Sequence, residues 1–405
     1  MKRAIVLSGG GAKGAYQIGF WKAIRQLEID YDIVTGTSIG ALNGAFMVQG
    51  DYSNAFKLWH TMDYEKVLDS GIDGSFYSSK GKKKVIMKYV KGAAKGGLNV
   101  PGLENIIKTN LNTDLFYSSK VDYGLVTVKF PSLKPVMLTK NDIKEDMLPH
   151  YLLATASCFP AFKMKKIENE SYIDGGYYDN MPIDLAIKMG ADEIIGVNLR
   201  SFGIIRKNKN KDIPVTIITS KNGIGNFLVL EKDSARRAMK LGYNDTMKAF
   251  NELDGNYFTF KKGSLKRNYK RIYDKFIKIL KLYIKEDKVT GKYKKIMSND
   301  REEYFNKILE NTMKAFSFID YELYRTSYVN ILLKKQLEAE MSKGFNVIKR
   351  MIKEGSLSKR TINKELICYI YSELNKEKVS KTLLNLSLLF PDSFLCAIYL
   401  KSIQR

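Results

Sequence analysis

Two hydrophobic periodicities divide the chain. Between residues 4 and 220 short apolar runs recur: "AIVLS" (4–8), "YDIVTG" (31–36), "YGLVTVKF" (123–130), "PVMLT" (135–139), "SYIDG" (171–175), "DEIIGVNL" (192–199) and "PVTIITS" (214–220). Their length and their glycine, proline or polar boundaries predict strands. Between them lie stretches with apolar residues at helical spacing, such as "AYQIGFWKAIRQL" (15–27) and "ALNGAFMVQG" (41–50), the second closed by Gly50. Strand–helix alternation predicts an α/β fold, with a mostly parallel sheet covered on both faces.

From about residue 225 the strand signal fades. "FLVLEKDSARRAMKLGYNDTMKAFNEL" (227–253) reads as one long helix, and beyond "KKGSLKRNYKR" (261–271) Lys-rich amphipathic helices run to Arg405. A domain boundary is expected near residue 262. In residues 265–285 the positions Ile272, Phe276, Ile279, Leu280 and Tyr283 form one helical stripe. Lys270, Arg271, Lys275, Lys278, Lys281 and Lys285 cover most of the rest. Such a helix either lies on an anionic bilayer or packs its stripe into a core with the lysines solvated. No apolar stretch approaches the length of a membrane span; "LLNLSLLF" near the end is too short and carries polar residues.

Composition narrows the class. The 405 residues are 44% hydrophobic and 27% charged with only 8 prolines, which excludes wholesale disorder and allows two or three domains. Cys158, Cys368 and Cys396 are too few and scattered for a disulfide framework or a zinc site, so no metal is expected. The apolar run at the start ends at Leu7, too early for a secretory signal. A cytoplasmic protein, at most peripheral to a membrane, is expected. The net charge of +24 is uneven: residues 1–200 carry 25 Lys+Arg against 21 Asp+Glu, and the remainder 42 against 22. The basic excess of the second half suits an anionic surface such as lipid head groups. No nucleic-acid partner is expected, because no motif of that kind is present.

Two glycine motifs carry candidate chemistry. "GGGAKG" (9–14) satisfies G-x-G-x-x-G through Gly9, Gly11 and Gly14, after a strand and before a helix, with Asp30 and Asp32 about twenty residues on. That is the setting of a dinucleotide fingerprint. Its acid, however, ends the second strand, whereas Asp30 and Asp32 stand at or before its start. The other use of such glycines is an oxyanion hole of backbone N–H groups, with Lys13 adding positive potential. "GTSIG" (36–40) then matches a nucleophile elbow, with Gly36 and Gly40 permitting a sharp turn that lifts the Ser38 hydroxyl off the sheet. The structural alternative makes Ser38 an ordinary N-cap of the next helix.

A serine nucleophile needs a base. The chain has 2 histidines, His60 and His150, and neither follows the chain order of a Ser-His-Asp hydrolase. "SYIDGGYYDNMP" (171–182) offers Asp174 at a strand end before Gly175 and Gly176. A partly desolvated aspartate there can accept a proton; alternatively it bonds only its own turn.

Taken together, "GGGAKG", "GTSIG", "DGG" (174–176) and "DNMP" (179–182) resemble the patatin-like phospholipase family over roughly residues 4–250. The resemblance implies a three-layer α/β/α fold in a catalytic domain of residues 1–262, with 263–405 a Lys-rich all-α region of unknown role. It implies lipid acyl ester hydrolysis, phospholipase A or lysophospholipase in type, by a Ser38–Asp174 dyad without histidine or cofactor. Gly9, Gly10 and Gly11 would supply the oxyanion hole. One block departs: "TASCFPAF" (155–162) has a shortened gap between Ala156-Ser157 and Pro160, and Ser157 reads as structural. A dinucleotide-binding protein, or a catalytically silent membrane or partner binder, stand as the other readings.

Overall fold

The first apolar run forms β1 (Arg3–Leu7), buried at every residue after Arg3, as a strand with helices over both faces must be. It belongs to a computed structural model that describes residues 1–62, 87, 91–94, 96–208, 210–228, 231–284, 291–356 and 362–404. Strands β2 (Ile33–Thr37), β3 (Asp122–Phe130), β4 (Pro135–Thr139), β5 (Lys165–Ile167), β6 (Glu170–Asp174), β7 (Glu193–Val197) and β8 (Val215–Ile218) complete one sheet. Its order is β5-β6-β3-β2-β1-β7-β8, with β4 paired to β3.

Strands β3, β2, β1, β7 and β8 run parallel. The other three do not, which corrects the expectation of helices between all strands. Four residues join β3 to β4, far too few for a crossover, so the pair is an antiparallel hairpin. β6 is antiparallel to β3, and β5, too short to register in the sequence, is antiparallel to β6.

Alternation along the strands builds a three-layer α/β/α arrangement. Ala4, Val6 and Ile33 face the short helix Ile183–Lys188 on one side. On the other, Val34 and Leu7 meet Gly44 of helix α2 (Ile39–Val48). Helix α1 (Ala15–Gln26) packs against the helix Lys232–Ala249 at a glycine crossing: a Cβ on Gly19 would stand 1.9 Å from the Met239 carbonyl oxygen, and one on Gly242 2.0 Å from that of Tyr16. The helix expected over 227–253 is shorter than that; residues 229 and 230 lie outside the described residues.

The chain separates into two compact units, Met1–Ala249 and Phe250–Arg405. The expected boundary at 262 lies further along, because residues 253–261 supply two strands of the second unit. These are Leu253–Asp254 and Thr259–Lys261, which with Leu323–Tyr324 make a small sheet among the helices. Glu310, nearly buried, accepts the backbone N–H groups of Asn256, Tyr257 and Phe258.

In the helix Ser264–Lys281 the stripe Ile272, Phe276, Ile279 and Leu280 is buried in this unit's core. It is therefore core, not a face free to lie in a bilayer; Lys285 lies outside the described residues. Among the described residues no single helix is long and apolar enough to cross a membrane. The helices Lys381–Leu389 and Pro391–Ile403 are apolar enough taken together, but they bend by 117° and Phe394–Leu400 are wholly buried in the core.

Candidate active site

Ser38 stands between β2 and α2 with φ 55° and ψ −129°, a conformation that a residue with a side chain adopts only when its surroundings enforce it. Gly36 and Gly40 make the turn feasible. A Cβ on Gly36 would lie 2.5 Å from the Gly40 carbonyl group, and one on Gly40 2.3 Å from the Leu7 carbonyl oxygen. The Ser38 amide donates to Thr155 Oγ1 at 2.9 Å, and that hydroxyl donates to the Val126 carbonyl at 2.5 Å. Ser38 occupies the N-cap position, yet its hydroxyl makes no capping bond. Its side chain lies beside Asp174 instead, near enough to act on that carboxylate, and both residues line one cavity.

The pairing registers bring Asp174 there. β4 lies along Gly124–Val128 of β3, so β2 and β6 must share the opposite edge. They run toward each other along it: Thr37 pairs with Val126 and Asp174 with Thr127. The carboxyl ends of a parallel and an antiparallel strand thus meet head to head. Gly175 turns into the gap, where a Cβ would sit 2.0 Å from the Val126 carbonyl oxygen and 2.9 Å from Thr37 Cγ2.

Asp174 is 7% exposed. Burial raises its pKa to about 6, against the opposing influence of the hydrogen bond from the Gly176 amide (2.7 Å) and of the neighbouring Ser38 side chain. The Asp174 amide donates to the Ser157 carbonyl at 2.9 Å, and Ser157 Oγ donates to the Leu153 carbonyl. Ser157 is accordingly a strut that holds Asp174.

The glycine loop 8–14 closes the site from β1. Gly9 packs so close that an added Cβ would lie 2.4 Å from Asn180 Oδ1 and 3.1 Å from Ser38 Cβ. Its amide, expected among the oxyanion donors, already donates to the Asn180 carbonyl at 3.1 Å. The Gly10 and Gly11 amides have no protein acceptor among the described residues, and both glycines line the cavity. Gly14 instead lets the start of α1 approach Ile39 and Trp59. The Lys13 ammonium is tied to the Leu199 and Arg200 carbonyls, and burial lowers its pKa.

Beneath the loop lies a buried polar cluster that the motifs do not contain. Gln17 Nε2 donates to the Ser8 carbonyl (2.8 Å), while Asn43 Nδ2 donates to the Gly14 carbonyl (3.1 Å) and to Gln17 Oε1 (2.7 Å). Trp59 Nε1 donates to Asn43 Oδ1 at 2.9 Å. Both ends of the glycine loop are thereby tied to α2, the helix that follows Ser38. Only the tertiary structure shows this. Asn180 and Thr155 were nearer to detection, since each sits in a block that the sequence singles out.

Ser38, Asp174, Gly176 and the two free glycine amides face a cavity open to solvent. Leu42, Trp59, Leu103, Phe162 and Phe227 make its walls apolar. Neither His60 nor His150 lines it. Asp32 accepts the Arg3 amide at the far end of β1, so the acids of the dinucleotide reading stand at the edge of the sheet opposite the glycines. Among the described residues no group of three or more His, Cys, Asp or Glu is placed to hold a metal ion.

Residues 5–187, all within the first unit, match the family described as patatin-like phospholipase. Patatin-like phospholipase domain-containing protein 7 of Rattus norvegicus is 30% identical over 205 residues, 49% of this chain but 14% of that protein. The uncharacterized protein YqhO of Bacillus subtilis is 28% identical over 221 residues, 51% of this chain and 74% of its own. The crystal structure of VipD from Legionella pneumophila covers 99% of this chain and 90% of its own, at 13% identity and a TM-score of 0.39. The chain therefore spans only a small part of the length of its rat relative.

Proposed function

We propose, from the premise that residues 5–187 belong to the patatin-like phospholipase family, that the protein hydrolyses acyl esters of phospholipids or related lipids with a Ser38–Asp174 dyad. One observation carries the reading: a strained serine at a strand–helix turn and a buried aspartate stand side by side in the lining of an apolar cavity.

Ser38 Oγ attacks the ester carbonyl while its proton passes to Asp174. A carboxylate with a pKa near 6 is a stronger base than an ordinary aspartate and is still ionised at neutral pH. The carbonyl oxygen, now negative, takes the Gly10 and Gly11 amides as donors; one such donor is worth roughly 3–4 kcal/mol in the transition state. Asp174 returns the proton to the departing alcohol or lysolipid. Water then attacks the acyl-enzyme with Asp174 again as base, releasing the fatty acid and restoring Ser38. The acyl chain would occupy the apolar walls formed by Leu42, Leu103 and Phe162.

The test is reaction of the full chain with a fluorophosphonate, with the adduct mapped by mass, alongside fatty-acid release from lysophosphatidylcholine micelles. Labelling of Ser38 and release that vanishes in Ser38→Ala are expected. An unlabelled Ser38 in a protein that releases no fatty acid would leave the fold serving a silent binding role.

A further inference from the structure

The segment after β7, "RSFGIIRKNKNKD" (200–212), is not used by the proposed chemistry. Three large apolar side chains protrude from it within four positions: Phe202 is 71% exposed, Ile204 55% and Ile205 43%. Single exposed apolar residues are ordinary, but a cluster beside an apolar cavity is not. Nor is the segment a loose tail. The Ile204 amide donates to the Gly176 carbonyl at 2.9 Å, and the Ile204 carbonyl accepts the Asn180 amide at 2.6 Å. Gly203, at φ 133°, admits the close pass over Asn180, which a Cβ would approach to 2.7 Å. Phe202 lines the cavity and packs edge-on against Tyr177, with ring centres 6.2 Å apart.

Cations flank this apolar tip. Arg200, Arg206, Lys207 and Lys211 are all exposed, and Asp212 is the one acid in the segment. The Arg206 guanidinium lies over the Tyr178 ring, 4.3 Å from its centre. A protruding aliphatic cluster ringed by cations has the composition of an element that enters the interface of an anionic bilayer. A nucleic acid would use the cations but leave the aliphatic tip in water.

We infer that residues 200–208 seat the mouth of the cavity on an anionic lipid bilayer, with Phe202, Ile204 and Ile205 in the interface and Arg200, Arg206 and Lys207 against lipid phosphates. This deepens the lipid-hydrolase reading and rests on it for its purpose. A lipid would then pass from the bilayer to Ser38 along Phe202 without crossing open water.

Sedimentation with phosphatidylcholine vesicles containing phosphatidylserine tests the contact independently of turnover. The full chain and an Ile204→Ser/Ile205→Ser variant are compared; neither side chain lines the cavity. The variant is expected to bind the vesicles ~10-fold more weakly and to hydrolyse vesicle lipid correspondingly less, while its turnover of a monomeric short-chain ester stays within about twofold. In Ile205→Trp the new indole is expected to shift to the blue on vesicles, since the native Trp21 and Trp59 are both buried. Unchanged sedimentation of the double variant, with no blue shift, would overturn the inference and leave any binding to the Lys-rich second unit. Vesicle binding lost in the variant, with no hydrolysis by the wild type on either substrate, would keep the docking surface and remove the hydrolase reading.

Discussion

Thr37 and Asp174 end two strands that run head to head along one edge of β3, paired to the neighbouring residues Val126 and Thr127. This places the residue after Thr37 beside the carboxylate of Asp174 in one cavity, though 136 positions separate Ser38 from Asp174. Every group near the pair is arranged around that junction. Thr155 spans Ser38 and Val126, Ser157 holds the Asp174 amide, and Gly175 fills the seam.

The first expectation concerns pH. With Asp174 as the base, kcat/KM falls about tenfold per unit below an apparent pKa near 6 and is level above about pH 7. Cys158 and Tyr177, the other titratable groups beside Asp174, are each pushed up to about 12 by burial and stay neutral throughout. Asp179, also raised to about 6 by burial, is separated by Asp179→Asn. That variant is expected to keep the limb, and a limb that disappears with it would assign the titration elsewhere.

Asp174→Asn is expected to abolish turnover and to stabilise the fold. A buried acid whose folded pKa lies above its unfolded one binds its proton more tightly when folded. Its stabilising influence is therefore complete below pH 4 and is lost as pH rises through about 6. At neutral pH the ionised group costs on the order of 2–3 kcal/mol, which the neutral amide avoids while still accepting the Gly176 amide. Urea titrations at pH 7.5 and pH 4 check this: the gain over wild type should be present at the first and small at the second.

Ser38 offers a parallel test through its backbone. Ser38→Ala removes the hydroxyl but keeps a side chain at φ 55°, whereas Ser38→Gly relieves the strain. Both are expected to be inactive, and Ser38→Gly to be the more stable by about 1 kcal/mol in thermal unfolding. Equal stability would mean that the turn stores no strain.

The elbow was legible because its evidence is local: two glycines around a serine, after a β-branched run and before a helix. Asp174 was legible as a strand end, but the direction of that strand was not. β6 is antiparallel, and only its offset along β3 brings the ends together, a register that no short motif encodes. The Gly9 amide failed as a free donor for a similar reason, since its acceptor on Asn180 lies far along the chain. Helical periodicity was sufficient for the second unit's helices, whereas its two- and three-residue strands are too short to leave a pattern.

Asn43 is expected to hold the glycine loop in register with Ser38. Asn43→Ala strands Gln17 Oε1 and Trp59 Nε1 in a buried space, which costs about 2–4 kcal/mol, seen as a lower urea midpoint. Where the variant remains folded, kcat on a soluble ester is expected to fall with little change in KM, because the loop would lose its position against the developing oxyanion. A KM effect with unchanged kcat would place Asn43 in substrate binding instead.

Thr155 makes the sharpest test of the junction, because one hydroxyl serves both strands. Thr155→Val keeps the shape but deletes the acceptor for the Ser38 amide and the donor to the Val126 carbonyl, leaving both buried without partners. A stability loss of about 2–4 kcal/mol is expected. Thr155→Ser retains the hydroxyl and is expected to recover most of it. Activity should follow the hydroxyl, not the methyl group: kcat falls at least tenfold in the valine variant and stays within about threefold of wild type in the serine variant. If both variants turn over alike, the Ser38 backbone is held by its glycines alone and the bridge through Thr155 contributes only to packing.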